Sequence, residues 1–214
     1  MTHPSTSRIP IRSIGPAHRD RLVSHLQKLD AHDRYLRFGY PAGDLQIRRY
    51  VDNLDFERDD VFGIFNRKLE LLAMAHLAYS SSPESTSCAE FGVSVLSQAR
   101  GRGYGSRLFE RATMHARNEG VELMFIHALT ENTPMLTIAR HAGAQLERDG
   151  PETDAHLRLP PANFDTLVTE MVEEQMAQTD YQLKAQAGHF RRFLATLQEI
   201  RQSVREVSEE HLGS

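Results

Sequence analysis

The chain has one cysteine, no tryptophan and no long apolar run in its 214 residues. A single thiol cannot close an internal disulfide, so we expect a reducing compartment, the cytoplasm. No apolar stretch approaches the roughly 20 residues that a membrane-spanning helix needs. The first 13 residues also lack the apolar core of an export signal, which agrees with a cytoplasmic location.

An excess of basic residues is missing as well. Residues 1–162 carry 20 basic and 20 acidic side chains, whereas residues 163–214 carry 5 and 9. Domains that bind nucleic acid are usually basic, so we expect no DNA or RNA partner. His18, His25 and His32 recur every seven residues, which is too wide for metal ligands. We interpret them as a surface stripe and expect no metal.

The order of apolar patterns predicts an α/β fold. It begins with a strand over residues 9–14, a helix after Pro16 and a second helix over residues 44–54 that Asp44 caps. Three strands, a helix, a strand, a helix and two strands follow, up to Pro160 and Pro161. We therefore divide the chain into a domain of residues 1–160 and a helical extension of residues 161–214.

The extension carries a heptad-like apolar pattern that is typical of a coiled-coil seam. Its members are Phe190, Phe193, Leu197, Ile200, Val204 and Val207, and the pattern continues more weakly back to Val172. Three interpretations stay open: helices packed on their own domain, a homodimer, or a docking surface for another protein.

The stretch "SQARGRGYGSRLFERA", residues 97–112, has glycines at the alternate positions 101, 103 and 105. Glycine permits positive φ angles and leaves backbone N–H groups exposed. Between a strand and the start of a helix, such groups bind phosphate, and neighbouring arginines can add contacts. The stretch lacks the spacing of a dinucleotide fingerprint and the Gly-Lys-Ser/Thr of a Walker loop. A turn without a ligand and an arginine-glycine RNA-binding segment are the remaining alternatives.

The pattern Arg100-x-x-Gly103-x-Gly105 resembles the acyl-CoA pyrophosphate loop of the GNAT superfamily of N-acyltransferases. The resemblance covers about residues 7–159 and is closest to the acetyltransferase domain of bacterial protein-lysine acetyltransferases. It rests on "RYLRF" (34–38), "RRYVDNLDFERDD" (48–60), "AEFGVSV" (89–95) and "ENTPMLTIARHAGA" (131–144). It implies a GNAT fold, in which helices flank a central mixed, mostly antiparallel sheet of about seven strands. The large synthetase-like region of those enzymes is absent from these 214 residues.

The resemblance also implies acetyl-CoA as co-substrate and an amine as acceptor. The strand "AEFGVSV" splays from its neighbour in this family, so pantetheine would pair with its main chain at Val93 and Val95. Asn132 would hydrogen-bond the pantetheine arm, although a simple helix cap explains it equally well. The residues assigned to the phosphates are Arg100, Gly101, Arg102, Gly103, Tyr104, Gly105 and Ser106.

Glu90 matches the glutamate that serves as general base in the family. A lysine-like amine has a pKa near 10.4, so making it neutral at pH 7 costs roughly 4.6 kcal/mol and requires a base. An exposed strand glutamate in a cross-strand ion pair is the alternative. Many family members have a tyrosine at the position of Ala139 that protonates the departing thiolate, which alanine cannot do. His141 is a poor substitute, because it lies about 200° around the helix.

Two acidic segments are expected near the acceptor side, where they would attract a cationic amine or simply be solvated. Their members are Asp52, Asp55, Glu57, Asp59, Asp60, Glu147, Asp149, Glu152 and Asp154. The leading hypothesis is an acetyl-CoA-dependent N-acetyltransferase that acts on protein lysine or a small cationic amine by direct attack in a ternary complex. The alternative is an acetyl-CoA sensor that signals through the extension. A purely structural interaction protein would not need the glycine-rich loop.

Overall fold

A computed structural model describes residues 9–80 and 87–186 of the chain. Its described strands form one seven-stranded sheet in the order β1-β2-β3-β4-β5-β7-β6. The strands are β1 Arg12–Ser13, β2 Asp60–Phe65, β3 Leu71–Tyr79, β4 Cys88–Val95, β5 Leu123–Leu129, β6 Gln145–Asp149 and β7 Glu152–Arg158. Neighbouring strands are antiparallel except for β4 and β5, which are parallel. The prediction of a mixed, mostly antiparallel sheet is therefore confirmed.

Helices cover both faces of this sheet. They are α1 Arg19–Gln27, α2 Ala31–Phe38, α3 Asp44–Asp52, α4 Tyr104–Asn118, α5 Thr133–His141 and α6, described over residues 164–186. Helix α2 was not predicted from the sequence, so the order of elements given above was wrong at this point. The cap of α3 is Gly43 and not Asp44: the Gly43 N–H donates to Gln46 Oε1 at 3.0 Å. The first strand is also shorter than predicted.

Strand alternation divides the core into two layers. One layer packs α4 and α5 against the face of the sheet that carries Phe62, Ala75 and Phe91. The other packs α1 and α3 against the opposite face, which carries Val61 and Met74. Adjacent residues of one strand therefore reach two different environments.

The surface stripe predicted for the three histidines was wrong for His25. Its side chain is only 1% exposed, and its ring bonds the Leu71 carbonyl at 2.9 Å and Ser94 Oγ at 2.8 Å. Burial lowers the pKa of His25 to about 4, so the ring is neutral near pH 7. His25 is thus part of the packing between α1, β3 and β4.

Helix α6 packs on residues of the first 160. Glu170 and Glu174 accept hydrogen bonds from Arg111 of α4, and Tyr181 lies 5.3 Å from Phe65 between ring centroids. The apolar residues 164, 167, 168, 171, 172, 176 and 183 of this helix are nevertheless exposed. The heptad positions from Phe190 to Val207 lie outside the described residues.

Candidate active site

The parallel strands β4 and β5 separate midway along their length. Their pairing covers Cys88, Ala89 and Glu90 of β4, and Glu90 is opposite Phe125 in the last pair. Beyond this pair, β4 continues beside β3 to Val95, and β5 continues beside β7 to Leu129. The two strands thus open into a wedge at Glu90.

A cavity of about 280 Å³ occupies this wedge. Both separated strands and the end of α2 line it, together with Asn132 and Met135 of α5. Glu90 and Val93 line it from β4, and Glu152 of β7 is the acidic-segment residue found in its wall. The cavity therefore brings the predicted base, the predicted acyl-binding strand and the predicted pantetheine ligand to one place.

Glu90 is exposed at the last pair before the wedge. Within the described residues its carboxylate has no ion-pair partner, so the cross-strand ion pair considered above is not formed. The side chain lies on the same sheet face as Gly92 and Ser94, because side chains alternate along a strand. This face is the one that α1, α2 and α3 cover.

The glycine-rich stretch forms the connection from β4 to α4. Gly101 and Gly103 both have a φ of 72°, and no atom lies within 4 Å of a Cβ built at either position. Gly103 is the N-cap of α4, and no side chain caps the helix. The first N–H groups of this 15-residue helix are therefore available to an anion, as a phosphate-binding helix start requires.

Gly105 has a different role, because it allows close packing. A Cβ at this position would lie 3.2 Å from Ile138 Cδ1 and 4.0 Å from Val95 Cγ2. The glycine brings the first turn of α4 against α5 and the end of β4. Tyr104, beside it, packs partly buried against both core layers.

The arginines of the stretch point in several directions. Arg100 pairs with Asp33 of α2, and Arg107 borders a second cavity, of about 420 Å³, between α4 and α6. Arg102 is exposed, as is Ser106, and in the described part of the chain neither makes an ion pair or a side-chain hydrogen bond. Of the arginines predicted to bind phosphate, Arg102 has the most freedom to do so.

Three residues of α5 and its N-cap bear on the predicted chemistry. Asn132 Oδ1 accepts the Met135 N–H at 3.3 Å, so it caps the helix and lines the cavity at once. Ala139 is fully buried among the residues of the core layer under α4, and His141 is exposed. Neither residue offers an acid to a departing thiolate.

The sequence interpretation missed a polar cluster beside the cavity, which we call the cavity cluster: Arg37, Tyr50, His76 and Asp59. Arg37 Nη2 donates to Tyr50 Oη at 2.9 Å, and Tyr50 Oη lies 2.8 Å from His76 Nδ1. His76 Nε2 lies 3.1 Å from Asp59 Oδ2. Burial, together with the nearby Arg37, lowers the pKa of His76, so a neutral ring that accepts from Tyr50 and donates to Asp59 satisfies every bond.

Glycine at position 92 allows Arg37 to contact β4. A Cβ at position 92 would lie 2.7 Å from Arg37 Nη2, 2.8 Å from Cζ and 3.0 Å from Nη1. The guanidinium therefore lies directly against the strand. "RYLRF" and "AEFGVSV" contain these two residues, so the signal was in the resemblance although no role followed from it.

Asp59 and Asp60 do not both face the cavity side. Asp59 bonds His76, whereas Asp60 accepts from Tyr79 Oη at 2.7 Å and lies 2.8 Å from His115 Nε2 on the opposite face of the sheet. These two residues therefore do not form a solvated acidic surface at the entrance of the cavity. Within the described ranges, no three His, Cys, Asp or Glu side chains gather as a metal site, and no helix is long and apolar enough to cross a membrane.

A family model for the acetyltransferase (GNAT) family matches residues 27–143, which is more than half of the chain. The chain therefore belongs to the GNAT acetyltransferase family. This family uses acyl-CoA as donor and an amine as acceptor, which agrees with the wedge between β4 and β5 and with the loop before α4. A search of curated proteins finds no match.

Solved structures give the same fold. The GNAT domain of S. lividans PAT is 22% identical, with a TM-score of 0.60 over 70% of this chain and 89% of that one. A GNAT-family acetyltransferase from Streptococcus pneumoniae is 12% identical, with a TM-score of 0.57 over 70% and 98%. A cAMP-binding acyltransferase from Mycobacterium smegmatis is 20% identical, with a TM-score of 0.52 over 78% of this chain and 50% of that one.

Proposed function

We propose that the protein is an acetyl-CoA-dependent N-acetyltransferase that acetylates a primary amine by direct attack in a ternary complex. The observation that carries this proposal is the end of β4–β5 pairing at Glu90, where the cavity opens. The base, the free edge of β4 and the loop before α4 then lie along one path from the acceptor to the phosphates.

The main chain of β4 orients the donor. Beyond Glu90 its edge is released from β5, so its N–H and C=O groups can pair with the amides of pantetheine. A backbone N–H at Val93 or Val95 would donate to the thioester carbonyl and stabilise the negative charge that develops on its oxygen. Asn132 adds a polar group on the other wall of the cavity.

The loop before α4 holds the phosphates. Its positive-φ glycines leave open space in front of the first N–H groups of the helix. The positive end of the helix and the exposed Arg102 favour the anion further. The phosphates thereby anchor the donor while its acetyl end reaches the wedge.

Glu90 removes the proton from the acceptor ammonium, directly or through one water. The neutral nitrogen then forms a bond to the acetyl carbon and loses its second proton to solvent, and the carbon–sulfur bond breaks. The products are an N-substituted acetamide and the CoA thiolate, which takes up a proton from solvent. A thiol with a pKa near 8.5 leaves without an internal acid, which agrees with the buried Ala139.

The first experiment measures CoA thiol release with lysine peptides, polyamines and free amino acids as acceptors. Replacing the base in Glu90→Gln should lower kcat by about 100-fold or more, with acetyl-CoA affinity unchanged. Asp20→Asn, which removes an exposed carboxylate from α1, is the matched control and should keep the wild-type rate. Equal rates in wild type and Glu90→Gln would exclude Glu90 as base.

Acetyl-CoA binding is tested separately by calorimetry. Gly103→Glu places a carboxylate in the predicted phosphate site and at a positive φ, so it should abolish binding. Gly120→Glu, a substitution at the positive-φ glycine beyond the other end of α4, controls for backbone strain. Unchanged affinity in Gly103→Glu would contradict the proposed site.

A second candidate is an acetyl-CoA sensor without efficient turnover. Two observations favour it: no acid faces the thiolate at Ala139, and α6 is bonded to α4, the helix that starts at the phosphate loop. If the protein binds acetyl-CoA but releases no CoA in the presence of any acceptor, this candidate is supported over the enzyme.

A further inference from the structure

Arg37 of the cavity cluster makes no ion pair within the described residues. Within the described residues, no carboxylate lies within 4.0 Å of the Arg37 guanidinium, and Nε is buried without a hydrogen-bond partner. The guanidinium has five N–H donors. In the described part of the chain, its one side-chain hydrogen bond is the one to Tyr50. A partly buried charge in this state is costly unless another group pairs with it.

The position of Arg37 is nevertheless well fixed. Tyr50 Oη accepts a hydrogen bond from Arg37 Nη2, and the hydrogen bonds from Tyr50 to His76 and from His76 to Asp59 hold the phenol in place. The absence of a side chain at Gly92 admits the guanidinium against β4. A cation that is fixed on several sides and has no carboxylate within 4.0 Å among the described residues is arranged for an incoming anion.

Arg37 and Glu90 line the same cavity with opposite charges. Glu90 is placed for the ammonium of an acceptor, and a guanidinium binds carboxylate through paired N–H donors. A substrate that carries both an amine and a carboxylate would satisfy both walls at once. A simple polyamine would leave Arg37 unpaired.

We propose that Arg37 binds a carboxylate of the substrate and so selects amino-acid-like acceptors over simple amines. This inference rests on the proposed N-acetyltransferase function and names its substrate class. The same carboxylate chemistry can also come from the acyl group, as in a dicarboxylic acyl-CoA, because Arg37 touches the strand that would bind the acyl chain. Arg37 is a specificity-determining residue in either case.

The test compares acids with their amides, which differ at the proposed contact alone. Glycine and glycinamide, lysine and lysinamide, and phenylalanine and phenylalaninamide are titrated by calorimetry into the full chain saturated with CoA. For at least one pair, the wild type should bind the acid about tenfold or more tightly than the amide. The ratio of kcat/KM for acid and amide should show the same preference when acetyl-CoA is the donor.

A second arm compares succinyl-CoA with acetyl-CoA at a fixed amine without a carboxylate. A preference for succinyl-CoA would assign the carboxylate to the acyl group instead of the acceptor. In whichever arm shows the preference, Arg37→Gln should reduce the ratio to near one. Gly92→Ala should do the same, since its methyl group displaces the guanidinium while leaving the charge in the chain.

Arg48→Gln is the matched control, because it removes an exposed arginine from α3 and should keep the ratio. Equal affinity for acid and amide together with equal use of both acyl donors would overturn the proposal. An unchanged ratio in Arg37→Gln would overturn it as well. Glu90→Gln should lose turnover and retain the binding ratio, so a failure of the proposed reaction is distinguishable from a failure of this inference.

Discussion

The cavity cluster and the charged cluster under α6 contain similar residues, but their arginines differ in whether a carboxylate pairs with them. We call the second one the clamp cluster: Arg111, His115, Glu170, Glu174 and Asp60. Each cluster has one arginine and one histidine. Each also includes one of two adjacent aspartates, Asp59 just before β2 or Asp60 at its first position. Strand alternation sends Asp59 to one face of the sheet and Asp60 to the other.

The difference lies in the counterions. Arg111, whose side chain is 3% exposed, bonds Glu170 and, at 3.2 Å, Glu174. Burial opposes protonation of His115, but its hydrogen bonds to Asp60 and Glu170 raise its pKa to about 9. In the cavity cluster, burial and Arg37 lower the pKa of His76. A cation paired within its own chain stabilises the fold, whereas an unpaired one beside a cavity is available to a ligand.

The largest expected effect is on stability. Arg111→Met keeps the packing on Phe62 but leaves two carboxylates near each other without the guanidinium. Breaking a buried pair in this way should lower the free energy of unfolding by about 3–5 kcal/mol. Arg37→Met removes a cation that has no carboxylate partner and should change it by less than about 1 kcal/mol. Urea denaturation measures both, and equal losses would remove the distinction between the clusters.

An intermediate effect is expected on the pH dependence of stability. Because the pKa of His115 is raised in the folded state, its stabilising contribution is complete below pH 6.5 and is lost as the pH rises through about 9. His76 has the opposite sign: its contribution is present above pH 6.5 and is lost as the pH falls.

Thermal unfolding across this pH range tests the two signs. His115→Gln should reduce the fall in melting temperature on the alkaline side. His76→Gln should reduce the fall in melting temperature on the acid side. His32→Gln, at an exposed position of α2, should alter neither limb. An alkaline limb that persists in His115→Gln would contradict the assignment.

The smallest effect is expected from Tyr50→Phe, which removes the bonds to Arg37 and His76 but retains the ring. Arg37 keeps its charge and loses its orientation, so the preference for acid over amide should fall by about threefold. Competition binding with the acid–amide pairs measures this change. A loss as complete as in Arg37→Gln would mean that Tyr50 itself contacts the ligand.

The sequence predicted most of the strands and the glycine-rich connection before α4, because their signals are local. The apolar residues of β5, the three alternate glycines and the Asn132 cap each depend on nearby residues. The assignments of Glu90 and of the loop residues to catalysis and binding stay predictions. So do the cytoplasmic location and the homodimer.

Helix α2 was missed because none of its residues is buried and half of its eight residues are charged or histidine. Its ends did carry a signal: Asp30 accepts the Asp33 N–H at 2.8 Å, and Gly39 ends the helix with a φ of 75°. The omission mattered, because α2 carries Arg37. The prediction that His25 is exposed was wrong for a related reason. The sequence around a polar residue of an amphipathic helix does not show whether a buried hydrogen-bond partner lies opposite it in the fold.

The sequence by itself determined the fold family and the order of most elements, since these depend on local patterns and short motifs. The tertiary structure alone decided which charges are paired. The sequence does not distinguish Arg37 from Arg111 in this respect. In the structure one lies beside a tyrosine and a glycine, while the other bonds two carboxylates of α6. The state of a charge depends on neighbours that are distant along the chain, and only folding brings these together.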